Sequence, residues 1–93
     1  MRTKTKRFKR HGHEYVISRS YWPDGSLLSE ARCRDEKPHG VWRCYWSDGT
    51  PWFEGHHRDG KRHGLRRAYY SDGTLEYEEH WRDGELIKST DTR

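Results

Sequence analysis

Large aliphatic side chains are scarce in this chain: Leu, Ile, Val and Phe together number 11 of 93 residues. So thin a supply cannot fill a conventional two-layer core, and taken alone it would describe a disordered chain. Long apolar runs are missing too. None exceeds the length of Tyr15-Val16-Ile17, far short of the roughly 20 residues a bilayer-spanning helix needs. At this length the chain allows one domain, which excludes a multidomain enzyme. No apolar stretch follows the basic N-terminal residues, so no signal peptide is expected. With two cysteines and no such signal, the expected compartment is the reducing cytoplasm, without a disulfide.

What the chain has instead is rings. Five Trp, six Tyr and two Phe make 14% of the residues, a content that disordered chains lack. The charge is unevenly placed. Arg2, Lys4, Lys6, Arg7, Lys9 and Arg10 lie in the first ten positions with no acid among them, and the rest of the chain is slightly acidic although the net charge is +4. Residues 1–12 therefore read as a flexible, solvated basic arm. The alternative role for Arg2–Arg10 is to bind nucleic acid or anionic lipid by counterion release.

Internal repetition decides the fold class. Tyr21-Trp22-Pro23-Asp24-Gly25, Tyr45-Trp46-Ser47-Asp48-Gly49 and Tyr69-Tyr70-Ser71-Asp72-Gly73 begin 24 residues apart. Glu30, Glu54 and Glu78 keep the same period, as do Arg34, Arg58 and Arg82, and then Asp35, Asp59 and Asp83. Lys61-Arg62-His63-Gly64 repeats Lys37-Pro38-His39-Gly40. Each unit reads as two strands and two turns, because Asp-Gly after an aromatic pair marks a tight hairpin. Segments of five to eight residues such as Val41–Trp46 are rich in β-formers and show no helical stripe. The expected fold is all-β: an antiparallel β-meander of about three hairpin repeats forming a single twisted sheet over residues 13–88. Residues 89–93 read as a polar tail, and Tyr15–Ser18 as an extended or bulged opening strand that caps the array.

Alternation assigns faces along the second strand of each unit. Leu27, Ser29, Ala31 and Cys33 share one face with Phe53, Gly55, His57, Leu75, Tyr77 and Trp81. Glu30, Arg32, Arg34, Glu54, His56, Arg58, Glu78, His80 and Arg82 share the other, a surface charge ladder. The first strands carry rings on both faces, with Trp42 and Trp46 on one and Val41 and Tyr45 on the other.

With these residues in view, the segment Phe53-Glu54-Gly55-His56-His57-Arg58-Asp59-Gly60-Lys61-Arg62-His63-Gly64 resembles the MORN repeat, whose consensus runs aromatic-Glu-Gly-x-Trp-x-x-Gly-Lys-x-His-Gly. The 24-residue period, with Gly40-Val41-Trp42, Tyr45-Trp46 and Asp48-Gly49, is similar to the MORN-repeat variant found in small bacterial antitoxin- and immunity-type proteins. The resemblance covers about Tyr15 to Ile87 and implies a repeat of β-hairpins. Three positions depart from it: Glu36 stands for the turn glycine, Pro51 stands near a strand start, and Arg66 occupies the place of Trp42 one unit earlier.

The chemistry of the residues points away from catalysis. Cys33, His39, Cys44, His56, His57 and His63 cluster in sequence, yet no Cys-x-x-Cys or His-x-x-x-His pair exists, so neither a metal nor another cofactor is expected. The aspartates fall in turns, and no strained elbow surrounds a serine. The symmetry of the 35–40 turn sets Cys33 near Trp42 and away from Cys44. Binding is left to the rings, since a single-layer sheet cannot bury both faces. The candidate partner-binding residues are Trp22, Arg43, Tyr45, Trp46, Trp52, Arg66, Arg67, Tyr69 and Tyr70, of the types enriched at binding hot spots. The expected role is a non-enzymatic module that covers and inhibits a protein partner, an acidic one being the best match to the arginines. A toxin is the target implied by the resemblance, and another macromolecular machine is the equivalent. The competing roles are a nucleic-acid binder using the arm and the rings, and a lipid-associated scaffold. Homodimer formation through edge strands is a further expectation to test.

Overall fold

Two kinds of turn alternate along the chain and set the strands between them. In the Asp-Gly turns, Asp24, Asp48 and Asp72 each accept hydrogen bonds from the backbone N–H and the hydroxyl of the residue two positions on, at 2.6–3.0 Å. The turn glycine donates to the carbonyl of Trp22, Trp46 or Tyr70 at 2.9 Å. The second kind places two consecutive residues at positive φ: His11-Gly12, Asp35-Glu36, Asp59-Gly60 and Asp83-Gly84. That is the type I′ geometry, whose twist matches that of a two-residue hairpin.

The computed structural model describes residues 2–91. Its strands are β1 (Arg2–Arg10), β2 (His13–Tyr21), β3 (Leu27–Arg34), β4 (Lys37–Tyr45), β5 (Pro51–Arg58), β6 (Lys61–Arg62), β7 (Gly64–Tyr69), β8 (Leu75–Arg82) and β9 (Glu85–Asp91). They form one open antiparallel sheet in the order β1-β2-β3-β4-β5-β7-β8-β9, with β6 paired to β5. This is the meander of hairpin repeats that the period predicts, and no helix occurs among the described residues.

The ends differ from the sequence reading. Arg2–Arg10 is no arm beside the domain: it pairs residue for residue with β2, from Arg2 opposite Tyr21 to Arg10 opposite His13. The His11-Gly12 turn supplies the hairpin, and β2 needs no bulge to pair with β1. At the other end, Ser89, Thr90 and Asp91 of the expected tail extend β9 opposite Glu79, Glu78 and Tyr77; residues 92–93 of that tail lie outside the described residues.

Register accounts for one departure from the repeat and corrects one expectation. Pro51 stands opposite Tyr45 at a register shift, but equivalent shifts occur at Tyr21 and Tyr69, so the bulge belongs to the repeat and not to the proline. Cys33 opposes Pro38, not Trp42, because the β3–β4 register shifts between Ala31 and Cys33.

The result is a plate of 43 × 38 × 15 Å. Cys44 and Ala68 are its buried hydrophobic residues, and none of the large side chains described is fully buried. Stability therefore rests on ladder and turn geometry, which can be tested where a turn is strained. Glu36 adopts φ 67°, where Gly60 and Gly84 stand in the later units. Glu36→Gly is expected to stabilise the fold by about 1 kcal/mol, and Gly49→Val, at the other turn type, to destabilise it by about 1 kcal/mol or more. Thermal denaturation followed by circular dichroism checks both signs; a less stable Glu36→Gly protein would refute the strain.

Candidate functional site: an aromatic groove opposite a charge ladder

The two faces of the plate differ in chemistry. Across one, the register aligns Lys4, Arg19, Glu30, Arg43, Glu54, Arg67 and Glu78. Arg19 bonds to Glu30 at 2.7 Å, Arg43 approaches Glu54 at 3.5 Å, and Arg67 bonds to Glu78 at 2.6 Å. Arg32 joins Glu30 at 3.2 Å and His80 joins Glu78 at 3.1 Å. Arg43 and Arg67, expected beside the exposed tryptophans, are thus members of this ladder. Tyr45 and Tyr69, two residues further along the same strands, alternate onto its face.

The opposite face gathers rings. Phe53 lies over Gly55, where an added Cβ would meet the ring at 3.1 Å. Trp42 meets that ring edge-on with centroids 5.0 Å apart, and the Arg66 guanidinium sits 4.8 Å from its centre. Such a cation–ring contact contributes about 0.5–2 kcal/mol, more as water is excluded. Arg66 is buried, and its Nε lies 3.6 Å from Glu79 Oε1 without a hydrogen bond. Arg66 therefore forms part of the floor, in the place where the preceding unit has Trp42. A groove of about 320 Å³ runs beside this cluster, walled by Trp42, Trp52 and Tyr77 over Phe53, Arg66 and Ala68. The bulge at Tyr45 turns Trp52 into it. Trp42 is 38% exposed and Trp52 40%.

The remaining candidates lie in the Asp-Gly turns. Trp46 is half-buried against Trp52, centroids 5.0 Å apart, with its Nε1 buried and unbonded. Trp22 donates to the Tyr45 carbonyl at 3.2 Å and so ties one turn to the next. Tyr70 is 37% exposed. The nine candidates thus divide among groove, turns and ladder. Trp42, Phe53 and Tyr77 were absent from that set although they build the groove. Alternation had put Phe53 and Tyr77 on one face, but it gave no sign of which face stays open.

His39 and His63 serve the type I′ end of the sheet. The Asp59 N–H donates to His39 Nδ1 and the Asp83 N–H to His63 Nδ1, each at 3.2 Å. Arg34 bonds to Asp59 at 2.7 Å and Arg58 to Asp83 at 2.8 Å, so each turn is fastened to the hairpin before it. These bonds explain the recurring Arg, Asp and His-Gly. His39, His56, His57 and His63 line a common hollow of about 460 Å³, but no group of three or more described residues could hold a metal ion. Both cysteines are free, and burial pushes the Cys44 thiol up.

The architecture is that of a hairpin-repeat sheet with an open, ring-lined face. Residues 38–59 and 62–83 each match the MORN repeat variant family. Such repeats are generally protein- or lipid-binding modules. The unit before them keeps Trp22, Asp24, Gly25 and Glu30 but has Glu36 in the turn. No curated protein and no solved structure matches the chain.

The ladder makes stability depend on acid. The hydrogen bond from Arg19 holds the Glu30 carboxyl below the usual range, and the bond from Arg67, then that from His80, does the same for Glu78. The folded state binds these protons less readily than the unfolded one. Their contribution is complete above the ordinary glutamate value, about 4.3, and is lost as pH falls through the lowered values. Burial, then the Arg66 and Arg62 charges, pushes His57 down, which adds a shallower loss as pH falls below about 6.5. The melting temperature should therefore fall gently below pH 6.5 and steeply below about pH 4.3. Replacing Glu30 and Glu78 by Gln should blunt the steep limb, while His57→Gln should flatten the shallow one.

Proposed function

We propose that this protein is a non-enzymatic, cytoplasmic module that neutralises or inhibits a partner protein by seating part of it in the aromatic groove. The observation that carries the reading is the pair of exposed tryptophans, Trp42 and Trp52, flanking a floor of Phe53 and Arg66. Exposed rings around a preformed hollow give a partner large apolar area with little side-chain ordering, and Arg66 favours an acidic or carbonyl-rich insert. An antitoxin or immunity protein is the form we favour, with a toxin as target. The ring-lined face supports a binding role, and Asp24, Asp48, Asp59, Asp72 and Asp83, with His39 and His63, are engaged in holding turns.

Capture of proteins from the native host, compared across variants, tests this reading. Trp42→Ala and Trp52→Ala should each weaken capture of the same target by about 2 kcal/mol, roughly 30-fold, with the circular dichroism spectrum retained. Arg43→Ala on the ladder face should change capture little. If the tryptophan variants remain folded and capture the target normally, the groove is not the contact.

A further inference from the structure

The alternation of charge across the ladder face breaks at one edge. From β8 back to β2 the row alternates acid and base: Glu78, Arg67, Glu54, Arg43, Glu30, Arg19. On β1 it ends with Lys4 opposite Arg19, base against base, while Glu30 already serves both Arg19 and Arg32. β1 is the outermost strand at this edge and pairs with β2 over nine residues without a bulge. Every residue along it is exposed except the half-buried Phe8. Among the described residues, its six cations make one ion pair, Arg7 with Glu14 at 3.9 Å.

We infer that the outer edge of β1 is a docking site for an extended acidic segment of a partner protein, which adds to the sheet as its next strand. The backbone is arranged for this. In an antiparallel hairpin closed by the two-residue His11-Gly12 turn, alternate residues spend their N–H and C=O groups on the partner strand. Arg10, Phe8, Lys6, Lys4 and Arg2 face β2 in this way, leaving Thr3, Thr5, Arg7 and Lys9 to direct theirs outward. An added peptide strand satisfies both the free donors and the free acceptors.

Side chains supply the specificity. Arg2, Lys4 and Lys6 recur every second residue on the ladder face, a spacing of about 6.8 Å, which an incoming strand with acids at alternate positions reproduces. Lys4 lies 5.9 Å from the Tyr21 ring centre, and Lys6 and Arg10 lie 5.8 and 5.9 Å from that of Phe8, so the rings help hold the cations on that side. The same cations repel a second β1 and blunt pairing between identical edges. A nucleic acid would match the positive charge but not the backbone, since phosphate oxygens would face the outward carbonyls as well as the amides.

The probe is a blocked, fluorescein-labelled decapeptide with Glu alternating with Thr and Val, titrated against the full chain at low and moderate salt and followed by anisotropy. Binding that weakens with salt is expected, with no binding of the Lys-for-Glu peptide. Replacing Lys4 and Lys6 together by Gln should weaken it about tenfold. Thr5→Pro deletes an outward N–H without removing a β1–β2 bond, so it should weaken peptide binding about fivefold while the circular dichroism spectrum stays the same. Hydrogen exchange on the unmodified protein should show the Thr5 and Arg7 amides slowed by the peptide. Trp42→Ala should leave all of this unchanged, which keeps the outcome separate from that of the groove. The inference is overturned if the peptide fails to bind at low salt, or if it binds without slowing those amides. It is equally overturned if an oligothymidylate displaces the peptide and Thr5→Pro affects neither, or if the protein self-associates and Thr5→Pro abolishes that association.

Discussion

A sheet with no second layer must be held within its own plane, and this constraint governs the rest of the molecule. Hydrophobic burial cannot set the register, because the plate buries hardly any large side chain. The alternating turns set it instead, Asp-Gly loops at one end and type I′ turns at the other, with each type I′ turn after Asp35 bonded to the hairpin before it through Arg34–Asp59 or Arg58–Asp83. Residues that look like chemistry, the turn aspartates with His39 and His63, are consumed in this work. Each bond is modest, about 0.5–1.5 kcal/mol or somewhat more where charge assists, but recurrence at every unit adds them along the sheet.

The same constraint leaves two large faces open, and the chain treats them differently. One is neutralised by rows of opposite charge, where surface pairs contribute little individually but keep the face wet and deter stacking. The other collects Trp42, Trp52, Phe53 and Tyr77, with Arg66 buried against the Phe53 ring. Gly55 makes that cluster feasible, since the Phe53 ring occupies the space its side chain would need. A face of this kind exposes rings that water does not favour, which is the physical ground for reading it as a contact surface.

Much of the fold was legible because its determinants are local. The 24-residue period, the Asp-Gly pairs and the β-rich segments required hairpins whatever the side chains between them did. Two arrangements lay beyond such local signals. The basic N-terminus lacks the repeat's signals, so charge alone suggested an arm, yet its nine residues match the length of β2 across the short His11-Gly12 turn. Composition groups Arg43 and Arg67 with neighbouring rings, whereas strand alternation separates them from Trp42 by a whole sheet.

By itself the sequence determined the hairpin architecture, the turn positions and the sets of residues that share a face, because two-residue periodicity and turn chemistry are properties of the local chain. Tertiary structure decided the rest: which set of rings stays open, how Arg66 replaces a tryptophan as part of a floor, and where the charge row ends at β1. Those outcomes depend on register between strands distant along the chain. Bulges at Tyr21, Tyr45 and Tyr69 recur with the repeat and shift that register, and side chains from different repeats meet only after the shift.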